Sequence, residues 1–520
     1  MEINLPINRS LPCVNFPFTL RTYCEIIWQK KTGALASVDF SSKELLMSSD
    51  DRSSSDNSPS IYRVLDEASL NRKHWVTVLT AGMGFFTDAY DLFIIGTVTA
   101  ILTPLWHLST GQLSLLNSIS LLSSVFGAIL FGKLMDQLGR KAMYGFEVAL
   151  LVLGAVASAF SQNFTELLIF RIVVGIGVGG DYATSAVITS EYANQRDRGR
   201  LIGTVFAMQG FGLLAGPLFA SILLATGVTH DVAWRIMLAF GAIPAASVVY
   251  LRRRIKETPR FTMHVQGDAK STAEAIKWTT GEIVDLSDSL SPARNRAKAR
   301  LSDPRFVKRL IGTAGTWLLM DVAFYGNGVS SQVILKALFG AKATLLHNTV
   351  VAALIFLIFA VPGYWVAVFL MDRIGRKRIQ WQGFLAMAIG YGLIMVVPKI
   401  VEVPVLFLVI YGITYFFIEF GPNETTFVYP SEIFPTSIRG TADGVSAAGG
   451  KIGAFIAALL MPTVVKDFGL PDTMGILAVV SILGVLLTLW SLPEPMGQTL
   501  EHASGELDVV VGESQQQQAG

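Results

Sequence analysis

A chain of 520 residues in which 52% of the side chains are hydrophobic and only 15% charged is too apolar for a string of ordinary soluble domains. A formal charge of +2 offers no general basic surface to nucleic acid. The two cysteines, Cys13 and Cys24, precede the first apolar run, and no Cys/His spacing points to a metal centre. No nucleophile–base constellation or phosphate-cradling loop points to an enzyme, and no cofactor is implied.

Charged residues gather in a few stretches and leave apolar runs of about 20 residues, enough to cross roughly 30 Å of hydrocarbon at about 1.5 Å per residue. The first 74 residues lack an uninterrupted apolar core and a small-residue cleavage site, so no signal-peptide cleavage is expected. Within them SSDDRSSSDNSPS is polar and turn-rich, and residues 1–74 read as a largely disordered extension. Six spans follow, near 75–100, 112–135, 142–161, 165–190, 199–225 and 232–252. A polar loop, 253–305, separates them from six more, near 306–332, 347–371, 378–398, 404–429, 440–462 and 472–491. The chain closes on a polar tail, 492–520, ending in the low-complexity ESQQQQAG. The expectation is an all-α membrane protein of twelve transmembrane helices.

The two halves, 75–252 and 306–491, repeat one another. GKLMDQLGRK between spans 2 and 3 is answered by VFLMDRIGRKR between spans 8 and 9, and Glu191 and Arg198 after span 4 by Glu432 and Arg439 after span 10 at one common offset. Basic residues of the short loops, among them Lys133, Arg140, Arg196, Arg200, Arg373 and Arg376, fall on one side. The positive-inside rule makes that side cytoplasmic, together with both termini and the central loop carrying RNRAKAR.

An ionised group inside a span is costly unless it is paired or faces a polar cavity, so the few intramembrane charges are the functional candidates. They are Asp88 and Asp91 in span 1, Glu147 in span 3, Arg171 and Asp181 in span 4, Asp321 in span 7, Glu419 and Glu424 in span 10, and Asp443 and Lys451 in span 11. In span 7, Trp317, Asp321 and Tyr325 stand at i, i+4 and i+8 and share one helix face. That stripe reads either as cavity lining or as aromatic packing around one paired Asp. Arg171 reads more readily as a pairing residue than as a substrate ligand, and Glu147 as a proton carrier or as the partner of a neighbouring base. Asp136, Arg140, Glu191, Arg198, Asp372, Arg376, Glu432 and Arg439 lie at the charged turns, where mutual pairing would lock the cytoplasmic side shut.

The doubled D-x-x-G-R-[RK] turn, with KETPR at 256–260 and PEPMGQTLE at 493–501, resembles the major facilitator superfamily over roughly residues 75 to 500. That implies two pseudo-symmetric six-helix halves rocking about a midplane site lined by helices 1, 4, 7 and 10. GIGVGGDYATSAVITSE, GFFTDAYDLF, the span 7 stripe, FGPNETTFVYPSEIFPTSIRGT and GKIGA further resemble the phosphate:proton symporters of plants and fungi; Ala183 and Thr184 depart from that family's Pro and Leu after GGDY. The resemblance implies phosphate contacts at Tyr182, Gln209, Trp317, Asp321, Tyr325 and Asn423. It implies proton handling at Asp88, Glu147 and Asp181, with Asp321 coupling the two, and Lys451 attracting the anion or pairing with an acid. Phenols, an amide and an indole N–H can donate to phosphate oxygens, and a carboxylate can accept from a protonated phosphate. A bare carboxylate would repel a fully ionised one, so either Asp321 is protonated or the substrate brings its own proton. The co-substrates implied are inorganic phosphate and protons, in a plasma membrane, with one chain sufficient and no nucleic acid partner. Rivals are a porter for an organic cation, organic anion or sugar, and a phosphate-sensing receptor that signals through its N-terminal extension. The span 7 stripe counts against a sugar.

Overall fold

The structure, a computed structural model, describes residues 60–284, 286, 299–328, 331–340 and 344–507. The expectations for Cys13, Cys24, the SSDDRSSSDNSPS stretch, most of the RNRAKAR run and the ESQQQQAG end lie outside those residues.

Among the described residues ten helical stretches are long and apolar enough to cross a membrane. Nine of them are α1 (Arg72–Trp106), α2 (Thr110–Leu138), α3 (Arg140–Ala159), α4 (Phe164–Tyr192), α5 (Arg198–Ala225), α6 (His230–Arg254), α8 (Leu345–Ile374), α9 (Arg376–Val396) and α10 (Pro404–Ile433). The tenth, Arg439–Ser491, has 53 residues, which at about 1.5 Å each is more than twice a bilayer core. It is broken at Gly469, where φ is 79°, a left-handed value suited to glycine, and Pro471 follows without an N–H to rejoin the ladder. This gives α11 (439–468) and α12 (470–491). The nine-residue connection expected between spans 11 and 12, 463–471, is therefore only a kink. The remaining span, α7 (Pro304–Gly328), carries Lys308, Arg309 and Asp321, which lower its apolarity but not its length of 25 residues. The total is twelve transmembrane helices in two six-helix halves. Large apolar side chains such as Phe126, Leu153, Ile389, Val405 and Trp490 are exposed on the outside of the bundle, as a hydrocarbon solvent requires.

Small residues let particular helices approach until backbones touch. A Cβ on Gly179 of α4 would lie 2.0 Å from the Ser124 carbonyl oxygen of α2, and one on Gly444 of α11 2.3 Å from the Ala128 carbonyl of α2. The first contact fixes α4 inside the N-terminal half. The second joins the halves at α2 and α11.

Segments outside the bundle wrap the face that carries the basic turns. Helix Ser60–Asp66 packs Tyr62 and Leu65 against Met263, Ile276 and Leu286 of the central loop. Arg260 of the KETPR motif is fully buried and donates to Asp66 at 2.7 Å, to Glu501 in helix Leu500–Ser504 at 2.7 Å, and to the Glu191 carbonyl at the end of α4 at 2.7 Å. One guanidinium thus ties the N-terminal segment, the central loop and the C-terminal segment together. Burial pushes the Glu501 carboxyl up, but Arg260 more than offsets this and holds it below the ordinary glutamate range; Asp66, sharing the same cation, stays above its ordinary value because burial wins there. A depressed folded value means that the Glu501 contact contributes stability above the unfolded value and loses it as pH falls through the lower folded one. Protection of the amides of residues 500–506, taken relative to the intrinsic exchange rate at each pH, should therefore hold between about pH 8 and pH 5 and fall below about pH 4. Arg260→Ala should release the segment at neutral pH; unaltered protection in that variant would show that the clamp does not hold it.

Candidate substrate and proton pathway

The α7 stripe meets side chains from three other helices at the middle of the bundle. Lys451 of α11 places its Nζ 3.5 Å from Asp321 Oδ2, 3.1 Å from the Tyr325 hydroxyl, and 3.8 Å above the Tyr182 ring of α4. The Tyr182 hydroxyl is 3.3 Å from Gln209 Oε1 of α5 and 3.4 Å from the Tyr325 hydroxyl. Trp317 lies flat against α11, where a Cβ on Gly450 would stand 2.4 Å from its Cδ1, and its Nε1 has no hydrogen-bond partner. Phe85, Phe206 and Phe427 surround the cluster, the last two stacked at 4.5 Å. Tyr182, Gln209, Trp317, Asp321, Tyr325 and Lys451 are each no more than 2% exposed. The cluster joins an ammonium, a carboxylate, two phenols, an amide and a free indole N–H in a dry aromatic setting. A tetrahedral oxyanion needs that mixture of donors and one compensating charge.

Asn423, the sixth implied phosphate ligand, stands in a neighbouring cluster, and no hydrogen bond joins it to Lys451 or Asp321. Its Nδ2 donates at 2.7 Å to the Tyr364 hydroxyl of α8 and at 2.5 Å to Glu419 Oε2. Asn423 and Glu419 both belong to a π-helical turn of α10, Glu419–Asn423, opened at Gly421, whose φ and ψ are −105° and −111°.

The acids of the N-terminal half converge on one base. Arg252, near the end of α6, donates to Asp181 at 2.9 Å and to Glu147 at 3.2 Å, and stacks over Tyr144 at 4.3 Å. Ser185 and Thr184 donate to Asp181 and Glu147 at 2.6 and 3.2 Å. Asp88 is wholly buried with neither oxygen hydrogen-bonded. Gly84, one turn earlier, leaves room for Asp181 and Arg252, since its Cβ would fall 1.9 and 2.3 Å from them. Farther along, Arg171 pairs with Asp91 at 2.7 Å.

All eight residues of the charged turns assemble on the basic face into two matching networks. In one, Glu191 accepts from Arg140 at 3.0 Å and from Arg439 of the other half at 2.9 Å, and Asp136 accepts from the Gly440 and Thr441 N–H groups opening α11 at 3.0 and 2.7 Å. In the other, Glu432 accepts from Arg376 and from Arg198 of the opposite half, each at 2.8 Å, and Asp372 accepts from the Gly199 and Arg200 N–H groups opening α5 at 3.1 and 2.7 Å. A carboxylate at a helix N-terminus meets unpaired N–H groups and the positive end of the helix dipole. Glu257 of KETPR and Glu494 of PEPMG do the same for α3 and α9, each accepting from two successive N–H groups. On the opposite face Phe93 of α1 packs on Phe324, Tyr325 and Phe356 at 5.4, 5.6 and 6.1 Å. With its side chains buried between these two seals, the site is occluded.

This arrangement has close relatives. Residues 69–507 match the model of the family described as "Sugar (and other) transporter". The chain is 36% identical to a rice (Oryza sativa subsp. japonica) protein named inorganic phosphate transporter 1-6, over 86% of this chain and 95% of that one, and 36% identical to inorganic phosphate transporter 1-4 of Arabidopsis thaliana, over 86% and 96%. The chain belongs to this transporter family. Its fold is that of the major facilitator proton:xylose symporter XylE, with a TM-score of 0.71 at 20% identity over 83% of this chain and 98% of that one. The family consists of transporters and not enzymes.

In this family member, then, the structure brings five of the six implied phosphate contacts together around Lys451 and sets Asn423 apart. Sequence reasoning missed Arg252. Three arginines, 252–254, end α6, and a run of bases after an apolar stretch reads as a solvated loop. The signal was arithmetic: among the intramembrane charges first picked out in that half Arg171 is the one cation, and it cannot neutralise Asp91, Glu147 and Asp181 together. Removing one partner of a buried ionic network leaves the others uncompensated, at a cost of about 3–5 kcal/mol. Arg252→Met should lower the thermal unfolding temperature of the detergent-solubilised protein, and adding Glu147→Gln and Asp181→Asn should restore part of the loss. An additive, further decrease in the triple variant would exclude this pairing as the cause.

Proposed function

We propose that this protein is a secondary active transporter that carries inorganic phosphate together with protons by alternating access. The observation that carries the reading is the Lys451–Asp321 pair set among Tyr182, Tyr325 and the Trp317 indole, which stands beside Asp321 without a close hydrogen bond. Relatives aligned over nearly their whole length bear the name inorganic phosphate transporter, which supports phosphate as the anion.

Phosphate takes the place of Asp321 as the partner of Lys451 and receives hydrogen bonds from Tyr182, Tyr325 and Trp317, with Gln209 orienting Tyr182. Asn423 joins from the C-terminal half. Displaced from its cation, Asp321 would be a second anion a few ångströms from the first in a dry site, which is strongly disfavoured; it takes a proton instead. Asp88, the acid without a counter-charge, loads a proton from the outer side, and the Asp181–Arg252–Glu147 network hands it onward. The two halves, 75–252 and 306–491, then rock about the site while the loop 253–305 keeps them joined. On that view the eight-residue charged network is the cytoplasmic gate, broken in the inward-facing state. The basic face is cytoplasmic, with the extension 1–74 and the tail 492–520 on that side, in the plasma membrane. The path runs inside one chain, so a single copy surrounded by lipid suffices.

Purified protein in liposomes should accumulate radiolabelled phosphate under an inward proton gradient, and an uncoupler should abolish the accumulation. Asp321→Asn should keep Lys451 neutralised by substrate alone and lose proton-driven accumulation. Undiminished accumulation by that variant would remove Asp321 from the coupling, and a wild-type protein indifferent to phosphate but active on an organic cation or sugar would overturn the substrate.

A further inference from the structure

Two buried acids of α10 have no place in the cycle described so far. Glu419 and Glu424 are fully buried, and neither pairs with a cation among the described residues. Three of their four carboxyl oxygens have no hydrogen-bond partner. The fourth, Glu419 Oε2, holds one of the two N–H bonds that Asn423 can give; the other goes to Tyr364. The Asn423 amide is therefore saturated. It can bind a substrate oxygen only by releasing Glu419 or Tyr364, and a released Glu419 would be a buried carboxylate with only the Tyr364 hydroxyl left beside it as a donor. Glu424 stands one residue on, at the seam between the halves: a Cβ on Gly203 of α5 would lie 3.2 Å from Glu424 Oε2, with Val368 and Met371 of α8 beside it. The titratable groups around the pair are Asp321 of α7, Tyr364 of α8, Tyr391 of α9 and Tyr415 of α10, none of them a cation, while Gly203 is the α5 residue that faces it.

We propose that Glu419 and Glu424 form a second proton-carrying site, in the C-terminal half, in which substrate at Asn423 displaces Glu419 and the freed carboxyl takes up a proton that leaves through Glu424. The bond exchange balances: Glu419 gives up the Asn423 N–H and gains an O–H with a proton taken from the solution that delivers the substrate, and as the seam against α5 opens that proton passes to Glu424 and from it to water on the releasing side, leaving both carboxylates as they began. Binding of substrate and of proton are then linked, because each removes the obstacle to the other. The inference rests on the phosphate:proton reading above and adds at least one proton to the stoichiometry that Asp88 and Asp321 supply.

The test uses the full chain in liposomes, with inorganic phosphate as probe. Phosphate–phosphate exchange without a gradient needs no net proton movement, whereas accumulation does. Glu424→Gln should exchange phosphate at close to the wild-type rate, Glu419→Gln should still exchange it but with an altered half-saturating concentration, and both should accumulate less phosphate against the same gradient and show a reversal potential displaced by the loss of one proton per phosphate. An unchanged coupling ratio in both variants would overturn the proposal, and so would exchange lost in parallel with accumulation, which would make these residues packing or substrate-contact residues. A wild-type protein that neither exchanges nor accumulates phosphate would defeat the underlying reading instead, and the proposal with it.

Discussion

An ammonium group at the centre of a twelve-helix bundle must be neutralised, and Lys451 has one carboxylate with which to do it. Everything around the site follows from that constraint. The α7 stripe brings Asp321 within 3.5 Å, the phenols of Tyr182 and Tyr325 take up remaining donor and π contacts, and the aromatic wall excludes water that would otherwise solvate the pair. A buried pair of this kind is a weak source of stability, since desolvation costs about what the attraction returns. Its value lies in being exchangeable. A substrate anion can replace the carboxylate on the lysine, provided that the carboxylate is neutralised in the same step.

The same logic, with fixed partners, builds the rest of the molecule. Each acid of the charged turns is held by an arginine within its half and by an arginine or a helix N-terminus across the seam, so closure of the basic face adds electrostatic contacts to the close backbone packing of α2 on α11. Charge-assisted bonds made simultaneously across a symmetric interface break together, which is what a two-state rocking motion needs. The arginine clamp through Arg260 extends the same network to the described N- and C-terminal segments, which are thereby tied to the charged turns that they cover.

How much of this was legible in the sequence depended on periodicity and on local pairing. The twelve spans, the duplication and the partners of the charged turns follow from apolar length and from motifs that repeat at one offset. The α7 stripe follows from a 3.6-residue period. The connection between α11 and α12 was misread because a single glycine with positive φ does there what a loop usually does. Arg252 was invisible because burial of one arginine out of three depends on how α6 tilts against α3 and α4. The separation of Asn423 from Lys451 arises from the π turn at Gly421, which rotates the face of α10 in a way no regular period foretells. Glu419 and Glu424 were visible as intramembrane acids, but only three-dimensional contacts show that one of them occupies a candidate substrate ligand.

The exchange of partners at Lys451 can be observed directly by phosphate-induced infrared difference spectroscopy on the reconstituted protein, comparing wild type with Asp321→Asn. Adding phosphate should convert carboxylate bands into protonated carboxyl bands in the wild type, and the Asp321 share of that conversion should be missing from the variant, leaving only the share that Glu419 contributes. A wild-type spectrum without carboxyl protonation, or one that Asp321→Asn reproduces in full, would contradict the account.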